Sequence, residues 1–325
     1  MPVEIADWND LDNVRNDLSG DYVLVNDLDS ETDGYAGIGD DFEPIGFIED
    51  DQFTSEFGGS FDGDGFEIAD LVIEYDGLDD GDIGLFASTD DGSMIENLSV
   101  DGSVMVTDSE GNHYSGLVGY HTAGTIQNCV SHVDVTAPDG GRVGGLVGRN
   151  DSTVTESYAT GSVEGDNRVG GLVGLESSDN SDQGIDECYS SNDSVTGNDD
   201  VGAFCGRLGA FTGIGDDAEG YIFDSYVDIE LSNQSEAIGN VFAEGASDVE
   251  EKQTAEMQGS EAETNMDGFD FANVWDAVLE SDDDTTADGY PILLALDREN
   301  QLEAQGIFQE LQPPEPPQNL TAELL

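Results

Sequence analysis

The side chains with the widest chemical range in this 325-residue chain are its three cysteines and three histidines. Cys129, Cys188 and Cys205 lack the paired spacing of a zinc site. Cys129 and Cys188 share one column of an internal repeat but stand two repeats apart, about 9.6 Å at the spacing of stacked strands and beyond disulfide reach. All three read as small core residues. His113, His121 and His132 fall within one repeat and form the best nominal cluster for a metal or a general base, but their separations of eight and eleven residues fit no ligand pattern. They read as exposed surface residues. The run Asp62-Gly63-Asp64-Gly65 gathers oxygen ligands without the rest of an EF-hand loop, and reads as a tight turn whose glycines take positive φ. Gly144, Gly145 and Gly148 could cradle a phosphate, but no Gly-Lys-Ser/Thr follows and the pattern recurs five times. Paired carboxylates occur everywhere and discriminate nothing. No catalytic, cofactor-binding or metal-ligating residue is assigned.

The elements that must position these groups are repeats. Leu85, Leu117, Leu146, Leu172 and Phe204 each sit in a Gly-flanked apolar step, such as Val143-Gly144-Gly145-Leu146-Val147-Gly148, and a degenerate copy lies at Ile238-Gly239-Asn240-Val241. A second column holds Ile95, Ile126, Val154, Ile185 and Ile222, with Leu98, Cys129, Ser157, Cys188 and Ser225 three residues later. A third holds Val104, Val135, Val163, Val195 and Leu231. Short β-branched runs broken by Gly, Asn, Asp and Ser predict three strands per repeat, stacked into a parallel β-solenoid. Both Leu146 and the adjacent Val147 are apolar. Either a glycine corner turns both inward, the favoured reading, or another chain covers the outer row in a homo-oligomer. Asn97, Asn128, Glu156, Glu187 and Asp224 form a polar row whose last three members repel when stacked.

Seventy-four Asp and Glu face seven Lys and Arg, a net charge of −67, and Lys252 is the only lysine. Repulsion of that size is tolerable where the Debye length is about 3 Å, at 1 M salt, and not where it is about 10 Å, at 0.1 M. The composition is that of haloarchaeal salt adaptation. With no Lys/Arg stripe, nucleic acid is excluded as a partner. No run of 18 to 20 apolar residues predicts membrane insertion, and no export signal is visible.

On the Gly-Leu-Val-Gly steps, the leading segment Tyr22–Ile68 and the closing segment Gly268–Leu293, the chain resembles proteins carrying the GLUG motif, found in large surface adhesins and outside the catalytic domain of some secreted proteases. The resemblance implies a β-solenoid and an exterior location, and names no ligand. The expected organisation is all-β: an N-terminal capping helix over 1–20, with Asp7 as N-cap; a solenoid over 21–245; a C-terminal cap over 246–296; and a tail over 297–325 with the spacer Pro313-Pro314-Glu315-Pro316-Pro317. The expected function is non-enzymatic attachment. First comes a virion component of a haloarchaeal virus (tail fibre, spike or turret) at the virion surface, contacting a host glycoprotein or glycan, and other virion proteins through the tail. The alternative is a secreted cell-surface adhesin. Third is a carbohydrate-active β-helix enzyme, although the Gly-His-Gly and Arg-Ile-Lys elements of that group are missing.

Overall fold

The computed structural model describes residues 1–46, 56–75, 81–107, 112–209, 219–242 and 246–309. The chain winds into a right-through stack of coils whose strands pair in parallel with those of the coils before and after. The columns predicted from sequence are the observed register: Ile95 lies opposite Ile126, then Val154, Ile185 and Ile222. Val104 lies opposite Val135, then Val163 and Val195. Leu231 leaves this column, because the amide of Val195 donates to the carbonyl of Ser232. A six-stranded sheet stacks Phe86–Thr89, Val118–His121, Val147–Asn150, Val173–Glu176, Cys205–Leu208 and Ile238–Val241. A four-stranded sheet stacks His113–Tyr114, Arg142–Gly144, Asn167–Gly170 and Asp199–Gly202.

The glycine corner joins these two sheets and turns both apolar residues inward. Leu117, Val118, Leu146, Val147, Leu172 and Val173 are all buried in one core. The glycines are required for close approach. A Cβ on Gly144 would lie 2.1 Å from the carbonyl oxygen of Val147, and one on Gly148 2.6 Å from that of Gly119 in the preceding coil. Each coil therefore nests against its neighbour's backbone, a contact only glycine permits.

The ends differ from the expected boundaries. Residues 1–20 are not one helix: Val3–Ile5 is a strand, paired with Tyr22–Leu24. Helix α1 (Trp8–Asn13) follows, with the Asp7 carboxylate accepting from the Asp10 amide, and Trp8, Leu11 and Val14 are buried. At the other end, Ala246–Ser247 and Glu250–Lys252 stack on Tyr221–Phe223 and Tyr226–Asp228, so the solenoid runs to Lys252 rather than stopping at 245. Helix α2 (Gly259–Asn265), the antiparallel pair Trp275–Asp276 with Ile292–Leu293, and helix α3 (Arg298–Ala304) form a closing segment. Helix α3 is no loose tail, since Leu302 is buried with Val278 and Ile292. The Pro313–Pro317 spacer lies outside the described residues.

The closing segment covers a flank of the rod. Successive coils present Val130, Tyr158, Tyr189 and Tyr226 in register on the outer side of one sheet, and Met257, Met266, Phe269, Trp275, Tyr290 and Leu293 pack over them. The hydroxyls of this tyrosine column are held: Tyr158 donates to Gln301 Oε1 (3.2 Å), Tyr189 to the Pro291 carbonyl (2.8 Å), and Tyr226 accepts from the Gly268 amide (2.8 Å). The segment then returns to the early coils, where the Asp297 amide donates to the Gly65 carbonyl and Asn300 Nδ2 to Asp27.

Candidate functional site: an arginine cluster on the glycine-corner face

The corner places the outward residues of the two sheets side by side. On the six-stranded sheet, Tyr120, Arg149, Leu175, Arg207 and Asn240 lie in register on successive coils. On the four-stranded sheet, His113 lies opposite Arg142, and Val143 opposite Val169, which puts Arg168 one coil beyond Arg142. Gly148, Gly174 and Gly206 bring the two columns together: a Cβ there would meet His113, Arg142 and Arg168 backbone atoms at 2.9, 2.8 and 2.4 Å. Four of the chain's seven cationic side chains thus gather on three consecutive coils.

Arg149 and Arg207 are each tied to an aspartate. Arg149 grips Asp151 in bidentate fashion (Nε to Oδ1 2.9 Å, an Nη to Oδ2 2.8 Å) and lies 4.7 Å over the Tyr120 ring, whose hydroxyl donates to Asp151 Oδ2 at 2.6 Å. Arg207 donates from Nε to Asp200 Oδ2 at 2.5 Å, and Asn240 Nδ2 donates to the other oxygen at 2.8 Å. His113 contributes Nδ1 to Asp82 at 2.5 Å and stacks 4.7 Å from Tyr120. Arg168 makes no hydrogen bond or ion pair among the described residues. Its burial and the fields of Arg207 and Arg142 push its pKa down to about 10. Burial and Arg149 likewise lower that of Arg142. Leu175, in register between Arg149 and Arg207, is 2% exposed and belongs to none of the apolar clusters.

The groups singled out by sequence lie elsewhere or do something else. Cys129, Cys188 and Cys205 are free and buried. Burial pushes the Cys129 thiol up to about 12 and raises the other two, so none is a ready thiolate. The histidines do not stand on the open surface. His121 is fully buried, and His113 and His132 are half-buried. Nor do they meet, for their partners are Thr89, Asp82 and Thr160 respectively for His121, His113 and His132. In the Asp62–Gly65 turn, positive φ falls on Asp64 (50°) and Gly65 (88°), while Gly63 is needed because a Cβ would lie 2.2 Å from the Asn97 carbonyl oxygen. Asp62 is occupied in accepting from the Asp64 amide and Asn97 Nδ2.

A second polar constellation lies inside. Thr89, His121, Asn150 and Glu176 occupy one register position on four successive coils, all fully buried. Thr89 Oγ1 lies 2.8 Å from His121 Nδ1, and Asn150 Nδ2 donates to Glu176 Oε2 at 2.6 Å. Glu176 Oε1 also accepts from the Ser178 amide and hydroxyl and, at 3.4 Å, from the Tyr221 amide. This ladder has no route to solvent and is structural.

Neither constellation was evident from sequence spacing. The arginines are 7, 19 and 39 residues apart, and only the coil period brings them together. The absent basic stripe noted above is absent from the sequence alone. The tyrosine column did leave a signal, the dipeptides Ser157-Tyr158, Cys188-Tyr189 and Ser225-Tyr226 at matching places in the repeat.

Residues 139–164, which contain the corner at Val143–Gly148, match the family described as the GLUG motif. Over 159 residues the chain is 33% identical to Halomucin of Haloquadratum walsbyi. That match takes in 48% of this chain and 2% of Halomucin's own length. A crystal structure from Bacteroides ovatus, provisionally described as an immunoglobulin A1 protease, aligns over 91% of this chain and 93% of its own with 18% identity and a TM-score of 0.48. A likeness at that level carries nothing about activity.

Proposed function

We propose that this chain is a non-enzymatic, exterior adhesion module of a halophilic archaeon, displayed at the cell surface. The observation that carries the reading is the GLUG corner repeated in register along a rigid rod, in a chain similar to part of Halomucin. The acidic surface suits an exterior bathed in molar salt. Nothing in either comparison favours the virion role over the cell-surface one, and the secreted-adhesin reading stands first on the archaeal relative. The non-enzymatic reading is supported by the enclosure of the cysteines, two of the histidines and Glu176. Burial keeps the thiols protonated and lowers the pKa of His121 and His132 to about 4, and Glu176 is enclosed by donors. No helix among the described residues is long and apolar enough to cross a membrane.

The test is direct binding. Fluorescently labelled protein in molar KCl is expected to bind haloarchaeal cells saturably and to be displaced by unlabelled protein. Absence of saturable binding to a panel of haloarchaeal strains would overturn the reading.

A further inference from the structure

We infer that the arginine cluster formed by Arg142, Arg149, Arg168 and Arg207 is a binding site for an acidic polysaccharide, engaged through its sulfate or carboxylate groups. The inference rests on the surface-adhesion reading and adds a ligand class and a place. Four guanidiniums on three coils are a large share of the seven cations that offset 74 acidic residues, and their mutual field is unfavourable within the fold. Together with Asp82, Asp151, Asp199 and Asp200 they make a locally balanced patch on a molecule of net charge −67, a face where an anion is not repelled.

The solvent decides what kind of recognition can work. At about 1 M salt the Debye length is about 3 Å, so long-range attraction is gone and only contact-range, oriented hydrogen bonds discriminate. A planar guanidinium fork presented to sulfate or carboxylate meets that requirement where an ammonium would not. The cluster is also pre-organised: Arg149 is held by Asp151 and Tyr120, and Arg207 by Asp200, leaving Arg168 between them without a partner of its own.

Spacing selects a polymer of sugars over a peptide. Arg142 and Arg168 are one coil apart, about 4.8 Å, and Arg149 and Arg207 two coils apart, about 9.6 Å, along the solenoid axis. One sugar residue has a comparable length, so a chain with one anionic group per residue can meet one guanidinium per coil. Same-face side chains of an extended peptide recur at about 6.8 Å and fall out of step. A second solenoid could match the coil period, but this chain's in-register carboxylates at Glu187 and Asp224 lie against the closing segment near Gly268 and Asp270.

The experiment measures binding of the full chain, in molar KCl, to immobilised dextran sulfate, polygalacturonate, neutral dextran and polyglutamate. It compares wild type with the double variant R142Q/R168Q, which leaves the Arg149–Asp151 and Arg207–Asp200 ties in place; an unchanged melting temperature verifies its fold. Wild type is expected to bind one or both anionic polysaccharides and neither neutral dextran nor polyglutamate, with at least tenfold weaker binding by the variant. Whether dextran sulfate or polygalacturonate binds tells sulfate from carboxylate. Equal binding by the variant, failure of both anionic polysaccharides, or equal capture by polyglutamate would overturn the proposal. If both proteins bind cells while neither binds these polymers, the ligand assignment fails and the adhesion reading stands. If wild type binds the polymers but not cells, the reverse holds.

Discussion

Among the described residues, every hydrogen-bond partner of the Glu176 carboxylate is a donor: the Ser178 amide and hydroxyl, the Tyr221 amide and Asn150 Nδ2. Burial pushes this carboxyl up to about 7, and the donors limit the rise. With a folded-state pKa above that of the unfolded chain, near 4.5, its contribution to stability is fully present below about 4.5 and is lost as pH rises through about 7. His121 works in the opposite sense. Held neutral by burial, with its pKa lowered from 6.5 to about 4, it contributes stability above 6.5 that is lost as pH falls through 4. Replacing Glu176 by Gln sets a side-chain N–H against the Asn150 N–H and is expected to cost about 1–3 kcal/mol. The substitution also removes the proton linkage, so the difference in melting temperature between wild type and E176Q is expected to narrow from pH 5 to pH 8. The change in that difference corresponds to something on the order of 3 kcal/mol. A difference that stays flat across this range would show that Glu176 is ionised throughout.

At the scale of the element, the polar row at the bend between Thr153–Thr155 and Tyr158–Ala159, and at its counterparts in the other coils, carries a strain that spacing did not reveal. Asn97, Asn128, Glu156, Glu187 and Asp224 all have left-handed backbone, with φ of 53°, 51°, 48°, 49° and 40°. Asparagine tolerates this conformation and glutamate does so poorly. The two asparagines also continue a ladder, Asn128 Nδ2 donating to Asn97 Oδ1 at 3.1 Å and Asn97 Nδ2 to Asp62 at 3.0 Å. From Glu156 onward the ladder becomes a like-charged column, and burial with the Glu156 field raises the pKa of Glu187. The double variant E156N/E187N therefore relieves backbone strain and repulsion together, at the loss of the Gln127–Glu156 hydrogen bond. It is expected to gain about 0.5–1 kcal/mol in molar salt and more near 0.1 M, where screening is withdrawn. Circular dichroism melts across a salt series would measure this. A gain independent of salt would assign the whole effect to backbone conformation. The row itself was legible as a column of polar residues. Its backbone conformation was not, because Asn and Asp fit many turn types, and only the bend shared by successive coils dictates φ > 0.

For the whole molecule, the closing segment links the two ends of the rod. It leaves the last coil at Lys252, covers the tyrosine column and reaches Gly65 and Asp27 near the start. Repeat proteins with only nearest-neighbour contacts can unfold coil by coil, whereas a strap across several coils couples them. The two tryptophans report on this: Trp8 is buried under the first coils, and Trp275 stacks on Phe269 with ring centroids 4.3 Å apart. Fluorescence melts of W8F and W275F, each leaving one reporter, are expected to give coincident transitions once each variant's own stability change is measured by circular dichroism. A Trp8 signal lost well before the circular dichroism transition would show that the early coils unfold alone and that the strap does not couple them.

The amino-acid sequence by itself determined the repeat period, the inward columns and the salt-adapted surface, because each is a local pattern: β-branched residues at strand spacing, glycine where a Cβ would collide, and acid nearly everywhere else. Register followed, since a slip of one residue would turn Ile126 or Val154 outward. Three things were decided only by the tertiary structure. The tyrosine column became a buried face because a segment about a hundred residues downstream lies on it. His121 and Glu176 became interior because their coils stack at one register position. The arginines at 142, 149, 168 and 207 became a site because a solenoid converts separation along the chain into height along its axis, so residues dozens of positions apart stand about one or two strand spacings from each other.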